Sequence, residues 1–217
     1  MDTDLKNINI KKKIFLITFL FFIFLLLFIS LYSADKNNDH QKIIFSDSVL
    51  LNQPSLGSTD AANTVIIFSD FKCLACVRWH KEVFPKLKKE LIDTNQVRFI
   101  HINTMFNGKE STLAAMSAEA VFSHSSRDYW KYHSELYSFF PKEITESTLE
   151  NFVYSFSFVN RETIPLDFST INYEVERDYN IGKVNGIKET PSVFLNGEKL
   201  ENAFSYTELK RKINSKK

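Results

Sequence analysis

An α/β fold built on a parallel strand pair, carrying a long helical insertion and preceded by an apolar N-terminal helix, is what this chain of 217 residues predicts. Three observations point there. Two short apolar, β-branched runs, residues 65–68 and 97–102, bracket a stretch of helical periodicity, the pattern of a βαβ unit. Residues 103–189 then read mostly as helices, and residues 193–200 read as a β-hairpin around Asn196-Gly197, a dipeptide suited to a type I′ turn.

Taken in order, residues 1–13 form a basic N-terminus ending in Lys11, Lys12 and Lys13. Residues 14–29 are apolar except for Thr18, and extension to Tyr32 makes the run just long enough to cross a hydrocarbon layer. The lysines should stay on the cytoplasmic side, so residues 14–32 read as a transmembrane anchor in contact with membrane lipid, and everything beyond as extracytoplasmic. A cleaved signal peptide, with secretion of the remainder, is the competing reading: Ala34 suits a processing site, whereas Tyr32 does not. Residues 33–58 are polar and irregular and read as a linker, with an edge strand conceivable around 43–45 and 49–51.

Residues 65–68 read as a strand buried on both faces. Val77, Phe84, Leu87 and Leu91 then recur at helical spacing among charged residues, and Pro85 is expected to kink this helix rather than end it. Within the insertion, at about residues 103–180, one helix carries Leu113 to Val121 and a second Tyr129 to Tyr137. A third is expected to start with a capping box from Ser147 to Glu150, and a fourth to cover residues 170–179. A last helix is expected at residues 206–213.

Composition removes several function classes. Hydrophobic residues make up 44% and charged residues 24%, ordinary for a folded protein, and a formal net charge of +1 gives no general attraction to nucleic acid. Two cysteines exist in the whole chain, so no framework of structural disulfides is available. Cys73 and Cys76 stand as C-x-x-C between a strand and a helix, the context that makes the motif a redox candidate. At a helix N-terminus, amide N–H groups and the macrodipole favour a thiolate, so Cys73 should be the acidic sulfur, with Lys72 as a further tuning charge. Cys76, one turn on, should be shielded. Cys73, Cys76 and His80 also have a metal-like spacing, but no fourth ligand accompanies them. His101, His124 and His133 read as ordinary residues, and Trp79 and Trp130 as core or groove lining.

A proline at the start of the hairpin strand, Pro191 after Thr190, would be awkward in a central strand unless its peptide bond is cis. Strand, C-x-x-C, helix and the late Thr190-Pro191-Ser192-Val193-Phe194-Leu195-Asn196-Gly197 together resemble the thioredoxin superfamily, so the fold class is a thioredoxin-like α/β fold with a helical insertion over residues 59–217. That insertion is similar to the DsbA-like branch. The run from Phe68 to Cys73, the Phe84-Pro85-Lys86-Leu87 stretch and the N-terminal anchor resemble its Gram-positive BdbD-like members. The resemblance implies that Thr190 and Pro191 lie beside Cys73 and the substrate backbone. It implies exchange of disulfides with secreted or cell-surface proteins, and re-oxidation by a DsbB-like quinone-linked membrane protein. No cofactor beyond the cysteine pair is expected; some BdbD-like proteins bind calcium, but no ligand motif here places one.

Two departures leave the direction of electron flow open. The dipeptide between the cysteines is Leu74-Ala75, without the proline or histidine common in the superfamily, and Ile67 stands where many members carry a buried carboxylate six residues before the first cysteine. Asp70 is nearer. Oxidase, reductase and redox-inert binding module are the functional alternatives, with oxidase in front.

Overall fold

The computed structural model describes residues 15–30, 50, 52–139, 142–159, 161–169 and 172–215. It divides into two units, Met1–Gln41 and Lys42–Lys217. In the first, residues 15–30 form one helix whose side chains are all exposed. Sixteen residues at 1.5 Å each give roughly 24 Å, less than the roughly 30 Å of a hydrocarbon core. Among the described residues no helix is long and apolar enough to cross a membrane. Ile14, Leu31 and Tyr32, which complete the span read from the sequence, lie outside the described residues.

The second unit contains a five-stranded sheet: β1 (Ser55–Leu56), β2 (Asn63–Ser69), β3 (Val97–Asn103), β4 (Ser192–Leu195) and β5 (Glu198–Lys199), in the spatial order β1-β3-β2-β4-β5. The pair β2 and β3 is parallel, with Val65 opposite Phe99 and Ser69 opposite Asn103, as the βαβ pattern predicts. The other pairings are antiparallel. β1 and the buried Leu50 fall within the stretch read as linker, ahead of residue 59. The edge strand is therefore at Ser55–Leu56; of the positions first considered for it, 43–45, 49 and 51 lie outside the described residues.

Alternation along β2 explains why its sequence is continuously apolar. Val65 and Ile67 face one core, with Phe99, Val193 and Leu195 from the neighbouring strands. Ile66 and Phe68 face another, with Ile100, Ile102 and Phe194. Each such fully buried side chain contributes roughly 1.5–3 kcal/mol. The first face is covered by α1 (Leu74–Glu82), through Trp79, by α2 (Phe84–Leu87), and by the final helix through Leu209 and Ile213.

Pro85 acts more strongly than a kink. Lacking an N–H, it cannot continue the ladder, and the expected single helix becomes α1 and α2, separated at Val83 and followed by a π turn at Lys88–Ile92 closed by Asp93 N–H donating to the Lys88 carbonyl at 2.8 Å. The insertion comprises α3 (Lys109–His124), α4 (Ser126–Ser138), α5 (Glu146–Val153) and α6 (Tyr173–Val184). The capping box of α5 lies two residues before the predicted one: the Thr145 hydroxyl accepts from the Thr148 amide, and the Thr148 hydroxyl accepts from the Thr145 amide. The fourth helix also runs later than expected, because Asn172 caps it through the Val175 amide at 2.9 Å. The last helix, α7 (Tyr206–Asn214), matches its expectation.

The hairpin turn is held on the sheet by its own residues. Asn196 and Gly197 have φ of 51° and 85°, as a type I′ turn requires, and Asn196 Oδ1 accepts the Thr64 amide at 2.8 Å. Gly57, with φ of 86°, follows β1 where the chain passes the end of β3, and a Cβ there would run into the Val97 carbonyl oxygen. Gly57→Ala is therefore expected to destabilise the unit by about 1–3 kcal/mol, read as a lower denaturant midpoint with an unchanged slope.

Candidate active site

β2 ends in Ser69 and leads through buried Asp70 and Phe71 to Cys73, the N-cap of α1. Asp70 fixes this passage. Its Oδ1 accepts the Lys72 amide at 2.7 Å, and its Oδ2 accepts from the Phe106 and Asn107 amides, the Asn107 side chain and the Ser111 hydroxyl at 2.8–3.1 Å. A buried carboxylate with five donors ties the approach to Cys73 to the beginning of the insertion, which answers the sequence question about Asp70: it is a brace.

Cys73 and Cys76 are free thiols, and their environments differ. Cys73 is half-buried, and its Sγ lies 3.5 Å from the Thr190 carbonyl oxygen. A hydrogen bond from the Cys76 thiol, assisted by the Thr190 side chain and the amides of Cys76 and Ala75, outweighs burial and lowers the Cys73 pKa to about 5. The two amides are the helix-end effect read from the sequence, and they contribute less than the Cys76 thiol and Thr190 do. Cys76 has 0% exposure, and burial, with the Cys73 sulfur beside it, pushes its thiol far above the ordinary range. The Ser69 side chain and the Asp70 backbone oppose that rise.

The Thr190-Pro191 bond is cis, and the loop it shapes reaches Cys73, so the structure brings together Cys73, Cys76 and Thr190-Pro191. Lys72 is placed differently. Its ammonium forms an ion pair with Glu110 Oε2 at 2.8 Å and donates to the Lys142 carbonyl at 3.1 Å, so it joins two parts of the insertion, and the leading influences on Cys73 are local hydrogen bonds instead. Between the cysteines, Leu74 stands 67% exposed, an apolar side chain open to a partner.

Behind Cys76 lies a wall of rings absent from the sequence expectations. Phe71 packs on His101, His133 and Tyr137, with centroids 4.8–5.4 Å apart, and His80 stacks on Phe84 and Tyr137. Burial lowers the pKa of His80 to about 4 and that of His101 to about 3, and it depresses His133 as well, so these rings are neutral at neutral pH. Ser69 Oγ and Tyr137 Oη are 2.5 Å apart, and Tyr137 Oη is 3.2 Å from His101 Nε2. Ser69 had a usable signal, since it ends the strand that delivers the cysteines. Tyr137 had none, because only tertiary folding of α4 brings it there. Trp79 is a core residue and Trp130, partly buried, packs against the core; their indole N–H groups donate to the Ala203 and Ser55 carbonyls.

Among the described residues no three His, Cys, Asp or Glu side chains converge as a metal site. Oxygen donors of the kind calcium takes nonetheless cluster away from the sulfurs. Asn103 Nδ2 donates to Glu119 at 2.7 Å and to Asp178 at 3.0 Å, and Gln53 Nε2 donates to Asp178 at 2.7 Å. Gln53 Oε1 and Asn103 Oδ1 are buried without a partner, and burial raises both carboxyl pKa values, that of Asp178 to about 6. The amide nitrogens, not the amide oxygens, face the two carboxyls, so these residues form a buried hydrogen-bond network.

A profile of the family described as Thioredoxin matches residues 50–215. Disulfide bond formation protein D of Bacillus subtilis is 34% identical over 167 residues, 74% of this chain and 75% of the relative. A probable disulfide bond formation protein D of Bacillus cereus is 33% identical over 155 residues, 67% and 70% of the two chains. The crystal structure of oxidised BdbD from B. subtilis superposes with a TM-score of 0.74 at 32% identity, covering 82% of this chain and 98% of that one. The α-DsbA2 protein of Wolbachia pipientis, at 16% identity and a TM-score of 0.66 over 79% and 91% of the chains, shares the fold.

With Cys73 ionised and Cys76 shielded, iodoacetamide should modify Cys73 alone in the reduced native protein, with a rate that falls to half near pH 5. A mass spectrum showing equal labelling of both sulfurs would contradict this asymmetry. Because folding lowers the Cys73 pKa, its ionisation adds stability that is complete above the unfolded thiol value of 9.0 and is lost as pH falls through about 5. Thermal unfolding of the reduced protein beside Cys73→Ser should show that difference growing as pH rises from 5 to 9.

Proposed function

The chain belongs to the thioredoxin family, as a DsbA-like thiol–disulfide oxidoreductase, and on that premise we propose that it is an extracytoplasmic oxidase that introduces disulfides into secreted or cell-surface proteins. The observation that carries the direction is the ionised Cys73 sulfur. A thiolate held by four hydrogen-bonding groups exists in the reduced form and not in the disulfide, so these groups stabilise the reduced protein and make the disulfide more oxidising.

In this reading a substrate thiolate attacks Cys73 Sγ in the Cys73–Cys76 disulfide, because Cys73 is the sulfur that solvent and partner can reach. Cys76 leaves, and a mixed disulfide joins Cys73 to the substrate. The substrate's second thiolate then attacks its own sulfur of that bond and releases Cys73, a good leaving group because its thiolate is stabilised. Thr190 and Pro191 border the substrate, and exposed Leu74 meets its apolar side chains. The reduced pair returns its electrons to a DsbB-like quinone-linked membrane protein. Residues 14–32 keep the two in one membrane as a signal-anchor, or direct secretion as a cleaved signal.

Reductase activity in the same compartment is the second reading, left open by the Leu74-Ala75 dipeptide, which lacks the proline or histidine common in the superfamily. Equilibration with glutathione separates the two. An oxidase should have a reduction potential well above the about −270 mV of thioredoxin and toward the about −120 mV of the strongest oxidants in this fold; a value near the lower figure would overturn the oxidase reading. Cys76→Ser should accumulate mixed disulfides through Cys73, visible as adducts lost on reduction, whereas Cys73→Ser should form none.

A further inference from the structure

Charge is unevenly placed along this chain. Residues 103–180, which carry the insertion, hold six lysines and arginines against twelve carboxylates, although the formal net charge of the whole chain is +1. Much of the compensating excess lies in one layer. α1, α2, the π turn with its closing Asp93, and α7 hold eight lysines and arginines against four carboxylates. These elements cover the same face of the sheet and share one core through Trp79, Leu87, Leu91, Leu209 and Ile213. They also hold one another. The Trp79 indole N–H donates to the Ala203 carbonyl at 2.8 Å, the Arg78 guanidinium lies 4.2 Å over the Phe204 ring, and Tyr206 Oη donates to Glu90 at 2.9 Å.

Ion pairing divides the charges of this layer into two sets. Each carboxylate has a cation of its own: Glu82 has Arg78 at 3.7 Å, Asp93 has Lys88 at 2.7 Å, Glu90 has Lys210 at 2.6 Å and Glu208 has Lys212 at 3.5 Å. Lys81, Lys86, Lys89 and Arg211 are left over. All four are exposed, and none has an ion pair among the described residues. One stands on each of the four elements, because the apolar side chains of these helices turn inward and leave the intervening cations to solvent. Charge spread in this way over a layer is complementary to an extended anionic surface.

Two further placements bear on what that surface is. The chain enters the sheet at this layer, since Gly57, which follows β1, lies against Ile92 of the π turn. Cys73 stands at the opposite end of α1 from Lys81, eight residues or roughly 12 Å along the helix axis, so a surface that meets the cations leaves the reactive sulfur uncovered.

We propose that the layer of α1, α2, the π turn and α7 rests on the anionic phospholipid headgroups of the membrane, with Lys81, Lys86, Lys89 and Arg211 as its contacts. The proposal rests on the anchored, extracytoplasmic reading of residues 14–32, in which residues 33–49 join the span to this edge of the folded unit. Docking holds the unit in one orientation, with the acidic insertion facing away from the lipid and the cysteine loop open to partners. Each cation close to an anionic surface strengthens such an association about five-fold.

The test uses the full chain reconstituted into vesicles of phosphatidylcholine alone and of equimolar phosphatidylcholine and phosphatidylglycerol. Surface lysines are acylated with an N-hydroxysuccinimide ester and read by mass spectrometry, with exposed Lys109 on the insertion as internal reference. Relative to Lys109, labelling of Lys81, Lys86, Lys89 and Lys210 should be several-fold slower in the anionic vesicles, and the difference should vanish at about 1 M salt, where the Debye length is about 3 Å. Combining Lys81→Gln, Lys86→Gln, Lys89→Gln and Arg211→Gln removes only unpaired surface charge, so the denaturant midpoint should hold while Lys210 loses its protection. Equal labelling in the two vesicles, or protection of Lys210 that survives in this variant, would overturn the proposal. So would protection in phosphatidylcholine alone, which would assign the layer to the acidic insertion of a second copy. Flotation keeps the anchored reading separate. A chain that does not float with phosphatidylcholine vesicles would disprove the anchor, and the basic layer would then stand or fall on salt-sensitive flotation with the anionic vesicles and its loss in the variant.

Discussion

The contact between two sulfurs in unlike surroundings is what the rest of the structure serves. Cys73 stands at the open end of a helix, and Cys76, one turn further in, is fully enclosed, so a proton shared between them resides on Cys76. The hydrogen bond from Cys76 is the largest influence holding Cys73 ionised. Neither the helix end nor a neighbouring cation accounts for as much. Charge separation over one helical turn is therefore a product of burial, and burial is a product of the insertion.

That dependence shows in the packing. Cys76, Val77 and Phe71 belong to the same apolar cluster as Leu113, Ala118, Val121, Tyr132 and Leu149, which lie on the insertion helices. Two polar braces hold the insertion in register with the cysteines: Asp70 gathers Phe106, Asn107 and Ser111 at the start of α3, and the Lys72–Glu110 pair, with Glu110 also accepting the Ile144 amide, ties the cysteine loop to the segment before α5. Loosening either brace would let water reach Cys76 and erase the difference between the sulfurs.

Strand positions, the C-x-x-C context, the hairpin and the cis proline were legible because each depends on short-range rules: alternation, a helix start, a turn dipeptide, a proline where an N–H would be wasted. The failures have equally local causes. Pro85 divided a helix whose periodicity suggested continuity, and the α5 cap used Thr148 in place of the glutamate the motif normally carries. Lys72 is adjacent to Cys73 in sequence, yet its long side chain has a carboxylate within reach, and proximity along the chain said nothing of that competition. The Ser69–Tyr137 and Tyr137–His101 contacts join residues 68 and 36 positions apart along the sequence, which no periodicity encodes.

The ring wall behind Cys76 sets how the site responds to acidity. His80 and His101 take up protons near pH 4 and 3, and the tyrosines beside them are held in their neutral form by burial. Imidazoles at the heart of a protein usually make it sensitive to the neutral range, but these have been moved out of it. Between mild acid and mild alkali these rings stay uncharged, and the ionisation of the half-buried Cys73 sulfur governs how readily the pair accepts electrons.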